Sequence, residues 1–392
     1  MTELLRSLDD EPDTPSTVDV RRAIATARRT RRVRRGVTGA GAAVVTVAAS
    51  LAGFTLTRPT AAPPPPVLAT SAPQPSVAAA PTVTRCAISR LPVPDKAPMA
   101  LVTAADPTGA WIAGRIYPKS GGYQAVLWHD GTVAKVMLPG DLEEALRDVN
   151  SSGTAVGWSY TEDGPVPYAY RNGEITKLAA SGSALGINDA GRIVGDDDEG
   201  NAVVWESVGA KPSRLPAPSS AKTVQARAID LDGTVVGSLD LSIPYIWLPD
   251  GTHRRMPMPE IDGKPAAIAQ AFDIRNGWVT GMASTKSFKD SRGSAPVHAV
   301  RWNLRTGESE LVGELQYPAD AVNAYGWQVG NDRKGYPVLI TGEKPIRLPG
   351  LAKHRADGTA TIASTLSDDG RIIAGQSDDT TNTIQAVMWR CR

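Results

Sequence analysis

Two cysteines, four histidines and three runs of carboxylates are the side chains of this 392-residue chain best suited to chemistry. Cys86 and Cys391 are the only thiols, 305 positions apart (391 minus 86). A metal site or a redox pair needs more partners or a Cys-x-x-Cys spacing, which leaves one structural disulfide or two free thiols. His129, His253, His298 and His354 stand apart, none with a second histidine or a carboxylate at metal-ligand spacing. The nucleophile elbow Gly-x-Ser-x-Gly and the phosphate-cradling Gly-x-x-x-x-Gly-Lys-Ser/Thr are absent. Asp196-Asp-Asp-Glu199, Asp368-Asp369 and Asp378-Asp379 offer oxygens that a hard cation such as calcium accepts. None has the spaced Asp-x-Asp-x-Asp-Gly pattern, and solvated hairpin turns account for them. No catalytic residue, cofactor or metal is assigned.

The elements that must position these residues begin with a change of composition. Eight arginines fall between Arg21 and Arg35, after a weak helix signal at Ser16 and Asp19, and Gly36 to Thr57 then runs 22 residues without a charge. As a helix that run reaches ~33 Å, enough for a bilayer. The arginines on one flank orient it with residues 1–35 in the cytoplasm and the rest outside. A cleaved secretory signal ending near Ser50-Leu-Ala52 is the alternative, although the charged lead is long for one. Residues 58–83, rich in proline and alanine, read as an extended stalk. The whole chain carries 42 basic against 41 acidic residues, a balance that leaves no electrostatic footprint for nucleic acid.

Residues 84–392 repeat. Ala184-Leu-Gly-Ile-Asn-Asp-Ala-Gly-Arg-Ile-Val-Gly195, then Ala202-Val-Val-Trp205, then Ser213-Arg-Leu-Pro216 is the clearest unit. Its second glycine recurs at Gly114, Gly157, Gly195, Gly237, Gly281, Gly330 and Gly375, giving seven copies. A strand opening with Ala or Pro carries, three residues on, Trp128, Tyr170, Trp205, Trp247, Trp302, Ile340 and Trp389. The turn position reads Asp106, Asn150, Asn188, Asp230, Ile274, Asn323 and Ser367, with Asp273 one place out of line in the fifth copy. Short runs of Val, Ile, Trp and Tyr between Gly, Asn and Asp turns are hairpin strands, about four per unit. Units of ~40–45 residues of that kind are propeller blades. The expected fold is all-β, a seven-bladed β-propeller, with the repeated aromatics packed between blades.

The last copy ends at Trp389-Arg-Cys-Arg392 without its Leu-Pro strand, and Arg85-Cys86-Ala-Ile-Ser-Arg-Leu-Pro92 has the missing pattern. The N-terminal segment is therefore expected to complete the seventh blade, which would bring Cys86 and Cys391 onto neighbouring strands within disulfide reach.

Gly186-Ile-Asn-Asp-Ala-Gly-Arg-Ile-Val-Gly195, His298-Ala-Val-Arg-Trp302 and Gln124-Ala-Val-Leu-Trp128 resemble the bacterial extracellular HAF-type repeats. The resemblance covers nearly all of 100–392 and implies an exported, propeller-like protein without assigning an activity or a functional residue. The front end looks like actinobacterial membrane-anchored envelope proteins. Three functions remain open. The first is a single-pass envelope protein whose propeller binds or scaffolds an extracellular protein or glycan. For that reading Trp111, Trp158, Trp278 and Trp327, outside the repeated strand position, are the candidate ligand-face aromatics. The second is a sensor whose residues 1–35 bind a cytoplasmic regulator. The third is an envelope glycan hydrolase or lyase, which requires two carboxylates facing each other across the channel.

Overall fold

The computed structural model describes residues 79–120, 122–140, 143–287, 296–342, 344–354 and 360–392. All belong to the second of two units, Ser76–Arg392. The arginine-rich segment 1–35, the apolar run 36–57 and nearly all of the stalk lie outside the described residues. Among the described residues no helix is long and apolar enough to cross a membrane.

Among the described residues seven antiparallel blade sheets follow one another along the chain, with a two-stranded ribbon, Glu260–Ile261 and Lys264–Pro265, between the fourth and the fifth. Blade 1 pairs Met99–Ala105, Trp111–Tyr117, Gln124–His129 and Thr132–Val136 in that order, innermost strand first. Blades 2, 3, 4 and 5 repeat the plan from inner strands Glu144–Val149, Ser183–Ile187, Val224–Ile229 and Ile268–Arg275. Blade 7 is built from Thr361–Leu366, Ile372–Asp378 and Ile384–Cys391, with Cys86–Arg90 from the other end of the chain as its outer strand. The inner strand of blade 1 touches those of blades 2 and 7, so the sheets close into a ring. Blade 6 departs from the expected four strands. It has three, Gln328–Asn331, Pro337–Ile340 and Ile346–Arg347, with an isolated bridge from Val322 to Gln328 where an inner strand would run.

The ring closes as the cysteines suggest. Arg85 and Arg392 exchange backbone hydrogen bonds, so Cys86 and Cys391, the next pair along, face each other without ladder bonds, the position where side chains approach most closely. They form a disulfide with Cα atoms 4.0 Å apart.

Blades cannot cover their own apolar faces, and the core shows how they share the task. The buried apolar side chains of the described residues fall into seven clusters, each straddling one blade-to-blade boundary. The repeated tryptophans sit in them, with Trp205, Trp302 and Trp389 fully enclosed. Each also donates its indole N–H backwards to the segment that follows the outer strand of the preceding blade. Trp128 reaches Pro92 O (2.6 Å), Trp205 Ala179 O (2.8 Å), Trp247 Pro216 O (2.6 Å), Trp302 Pro257 O (2.9 Å) and Trp389 Pro349 O (2.8 Å). The tryptophan and Leu-Pro signatures of the repeat are thus two halves of one contact. A buried indole N–H needs an acceptor, and the residue after the leucine, or after Met256 in blade 4, supplies it.

The repeated second glycine has an equally local cause. Six inner strands carry a one-residue bulge, at Thr103, Arg147, Leu185, Arg227, Phe272 and Ser364. Beside each bulge an inner-strand carbonyl crowds the glycine, so that a Cβ on Gly114, Gly157, Gly195, Gly237, Gly281 or Gly375 would overlap it. Blade 6 has no paired inner strand of this kind, and Gly330 meets only the Leu315 side chain.

Candidate functional site in the central channel

The inner strands surround a cavity of about 450 Å³, within the ~300–1,000 Å³ range of small-ligand sites. All six bulged residues line it, joined by Asp320, which stands three residues before the blade 6 turn residue Asn323 just as Arg147 does before Asn150. Going round the ring, one backbone position therefore presents Thr103, Arg147, Leu185, Arg227, Phe272, Asp320 and Ser364. Six of these side chains stand on strand bulges and Asp320 in a bend at the corresponding place, and they differ in chemistry.

Among the described residues, the guanidinium groups of Arg147 and Arg227 and the carboxylate of Asp320 make no hydrogen bond or ion pair. Arg227 lies over the Phe272 ring at 5.7 Å. Arg147 and Asp320 are exposed to the channel and Arg227 is half-buried. Burial and the like charge of Arg147 pull Arg227 below the ordinary arginine range, against the attraction of Asp196 and Asp320. Burial raises Asp320 above the usual carboxylate range, opposed by Arg147 and Arg227. These groups feel one another without pairing.

The tier one residue further along is engaged. Asp148 accepts Val149 N–H (2.8 Å) and, across the blade boundary, Ile187 N–H (2.8 Å). Asp273 accepts Ile274 N–H (2.8 Å) and Val322 N–H of blade 6 (3.2 Å). Burial, with each donated N–H pulling the other way, drives Asp148 up to about 7 and Asp273 up to about 6. Arg275 lies beside them and pairs with Asp368 at 3.3 Å. Burial works against its charge, but Asp368, Asp273, Asp148 and Asp230 outweigh that and hold it above the ordinary value.

Beyond this tier the turns are linked from blade to blade. Asn150 Nδ2 donates to Asn188 O (3.0 Å), Asn188 Nδ2 to Asp230 O (3.2 Å), Asn276 Nδ2 to Ala324 O (3.0 Å) and Asn323 Nδ2 to Asp368 O (3.2 Å), while Asp368 N donates to Pro107 O of blade 1 (2.7 Å). Between blades 4 and 5 the direction reverses: Asp230 accepts the N–H groups of Asn276 (3.0 Å) and Gly277 (2.8 Å). The fifth turn is therefore not at Ile274. It is the two-residue Asn276-Gly277, both at positive φ, between paired Arg275 and Trp278. The shorter turn displaced the repeat alignment by one residue.

The four candidate aromatics are not brought together. They lie on blades 1, 2, 5 and 6, and none lines the channel. Trp111, Trp278 and Trp327 each pack over the turn glycine of the next blade, Gly153, Gly326 and Gly370. Trp327 is buried, Trp111 stacks on His129 at 3.6 Å and Arg301 covers Trp278 at 5.2 Å. Trp158, half-exposed, meets Tyr160 edge-on at 5.1 Å. Of the acidic runs, Asp197 closes its own turn by accepting Glu199 and Asn201 N–H, and Asp379 likewise caps Thr381 and Thr383. Asp368 joins the Arg275 group. Among the described residues no three His, Cys, Asp or Glu side chains are grouped to hold a metal. The channel charges escaped the sequence reading, although one signal was visible: Arg147-Asp148 and Asp273-Ile-Arg275 put charges inside strands that are otherwise apolar.

No family model matches the chain and no curated protein matches it. Solved structures do. One described as YCF48 bound to D1 peptide shares 12% identity over 80% of this chain and 98% of its own, with a TM-score of 0.46. The Pan2 WD40 domain of Neurospora crassa shares 10% over 79% and 94%, with a TM-score of 0.48. A structural genomics protein of unknown function from Bacteroides thetaiotaomicron shares 10% over 79% and 76%, with a TM-score of 0.41. At such identities and scores they bring no functional residue to this chain, whose architecture rests on its own seven sheets.

Proposed function

We propose that this protein is a non-enzymatic binding or scaffold module of the cell envelope, tethered to the membrane by residues 36–57 with the propeller outside. The observation that carries the reading is the contrast between a repeated frame and an unrepeated lining. Packing positions recur from blade to blade, whereas the six bulged side chains and Asp320 are of six different types, as suits a recognition surface on a rigid scaffold. The disulfide supports an oxidising compartment. The arginine cluster beside an uncharged run supports the tether and its orientation. A glycan hydrolase or lyase needs a carboxylate able to exchange a proton with its substrate. Both oxygens of Asp148 and of Asp273 accept backbone N–H groups, so that among the described channel carboxylates Asp320 has no second unengaged carboxylate for the pair this chemistry uses, which favours the binding reading.

The test is retention of envelope polymers and secreted proteins by the full chain and by its Arg147→Glu/Arg227→Glu variant. A ligand held by the first and released by the second supports channel recognition, and equal retention of every ligand by both ends it. For the tether, alkaline washing of membranes should leave the chain in the pellet. Its release into the supernatant would contradict the anchor.

A further inference from the structure

Among the described residues, Arg147, Arg227 and Asp320 differ from the other charged groups lining the channel in making no hydrogen bond or ion pair. Arg275 is paired with Asp368, and Asp148 and Asp273 are satisfied by backbone N–H groups. Arg147 and Asp320 are exposed to the channel and Arg227 is half-buried, so these charges stand open to a ligand, whereas both oxygens of Asp148 and of Asp273 in the neighbouring tier are taken by backbone N–H groups. The two guanidiniums stand on blades 2 and 4, either side of Leu185 on blade 3. Asp320 stands on blade 6, on the far side of the ring, between Phe272 and Ser364. A planar carboxylate suits paired arginines, which present their donors as forks. A ligand that is only anionic would leave Asp320 unmatched, and one that is only cationic would meet two like charges. Leu185 and Phe272 give the same tier an apolar wall.

We infer that the bulge tier of the channel receives a small zwitterion, with its carboxylate on Arg147 and Arg227, its ammonium on Asp320, and an apolar side chain against Leu185 and Phe272. An amino acid and a very short peptide share this chemistry, and the cavity has room for either. The inference rests on the protein being a binding module and specifies what it binds.

Calorimetric titration of the full chain with leucine, phenylalanine, Leu-Leu, N-acetyl-leucine and leucine amide tests it. At least one unblocked compound should bind. Removing either terminal charge, by acetylation or amidation, should weaken binding about tenfold or more, as the loss of one charge-assisted contact does. Arg227→Gln and Asp320→Asn should each weaken the unblocked ligand about tenfold while leaving the thermal midpoint within a few degrees. Binding of Leu-Leu without leucine assigns the peptide, and the reverse assigns the amino acid. The idea is overturned by silence from all unblocked compounds, by blocked forms binding as well as free ones, or by indifference to both substitutions. If these zwitterions fail while the polymer and protein screen finds a channel-dependent ligand, this inference falls and the binding-module reading stands. If both fail, both fall.

Discussion

Trp128 of blade 1 donates its indole N–H to the carbonyl of Pro92 at 2.6 Å, and Pro92 follows the N-terminal strand that completes blade 7. The same contact that joins each ordinary pair of blades therefore also joins the ends of the chain. Closure is a property of the repeat, and the disulfide reinforces it from the outer edge.

Replacing Trp205 by Phe should separate the two jobs of the repeated indole. The ring still fills most of the space, but Ala179 O loses its donor, and the expected cost is about 1–3 kcal/mol. Trp205→Ala empties a fully buried site and should cost about 3–5 kcal/mol. Urea denaturation of the two variants beside the parent checks this: a Phe variant as stable as the parent would show that the hydrogen bond contributes nothing, and equal losses in both would show that filling the site contributes nothing.

Gly237→Ala and Gly330→Ala form a matched pair. At Gly237 the new methyl overlaps a main-chain carbonyl held by the bulge, whereas at Gly330 it meets a movable leucine tip. The first should destabilise by about 1–3 kcal/mol or more and the second by distinctly less. Thermal midpoints that fall equally would remove the bulge as the reason for the repeated glycine.

The Cys86–Cys391 bond closes a loop of 305 residues. Chain entropy then sets its stabilisation at about 5 kcal/mol as an upper estimate. Cys86→Ala/Cys391→Ala should lower the denaturation midpoint, and hydrogen exchange should rise first at Cys86–Arg90, where the bond was the covalent hold on an edge strand. Unchanged protection there would mean that the ladder alone secures the closure.

The sign of the pH dependence follows from Asp148 at about 7 and Asp273 at about 6, both above the ~4 of an unfolded aspartate. Between about pH 4 and pH 7 the folded state binds more protons than the unfolded one. The stability these groups contribute is present below pH 4 and is lost as pH rises through 6 to 7. Thermal melts from pH 4.5 to 8 should show that decline, and Asp148→Asn/Asp273→Asn should flatten it. A double variant with the parent's slope would contradict the assignment.

The number of blades was legible in the sequence because a packing requirement recurs in nearly every unit, and the exchange of the terminal strand and the meeting of the cysteines followed from the one unit that lacked a strand. Blades that must cover one another need an aromatic, a glycine and a Leu-Pro at fixed places, and self-similarity exposes them. The seventh unit's missing strand then had one matching segment, Arg85 to Pro92, to supply it. The channel left no such trace. Its residues occupy a bulge that turns them away from both neighbouring sheets into water, so no packing demand makes Thr103 resemble Arg147 or Phe272. Only the closed ring brings Arg147, Arg227 and Asp320, spread over 174 positions (320 minus 147, counted inclusively), around one space. Likewise the bulge at Phe272, placed as the bulge at Arg147 is, puts Asp273 in the tier of Asp148, whereas a repeat counted back from Gly281 across the shorter Asn276-Gly277 turn falls on Ile274.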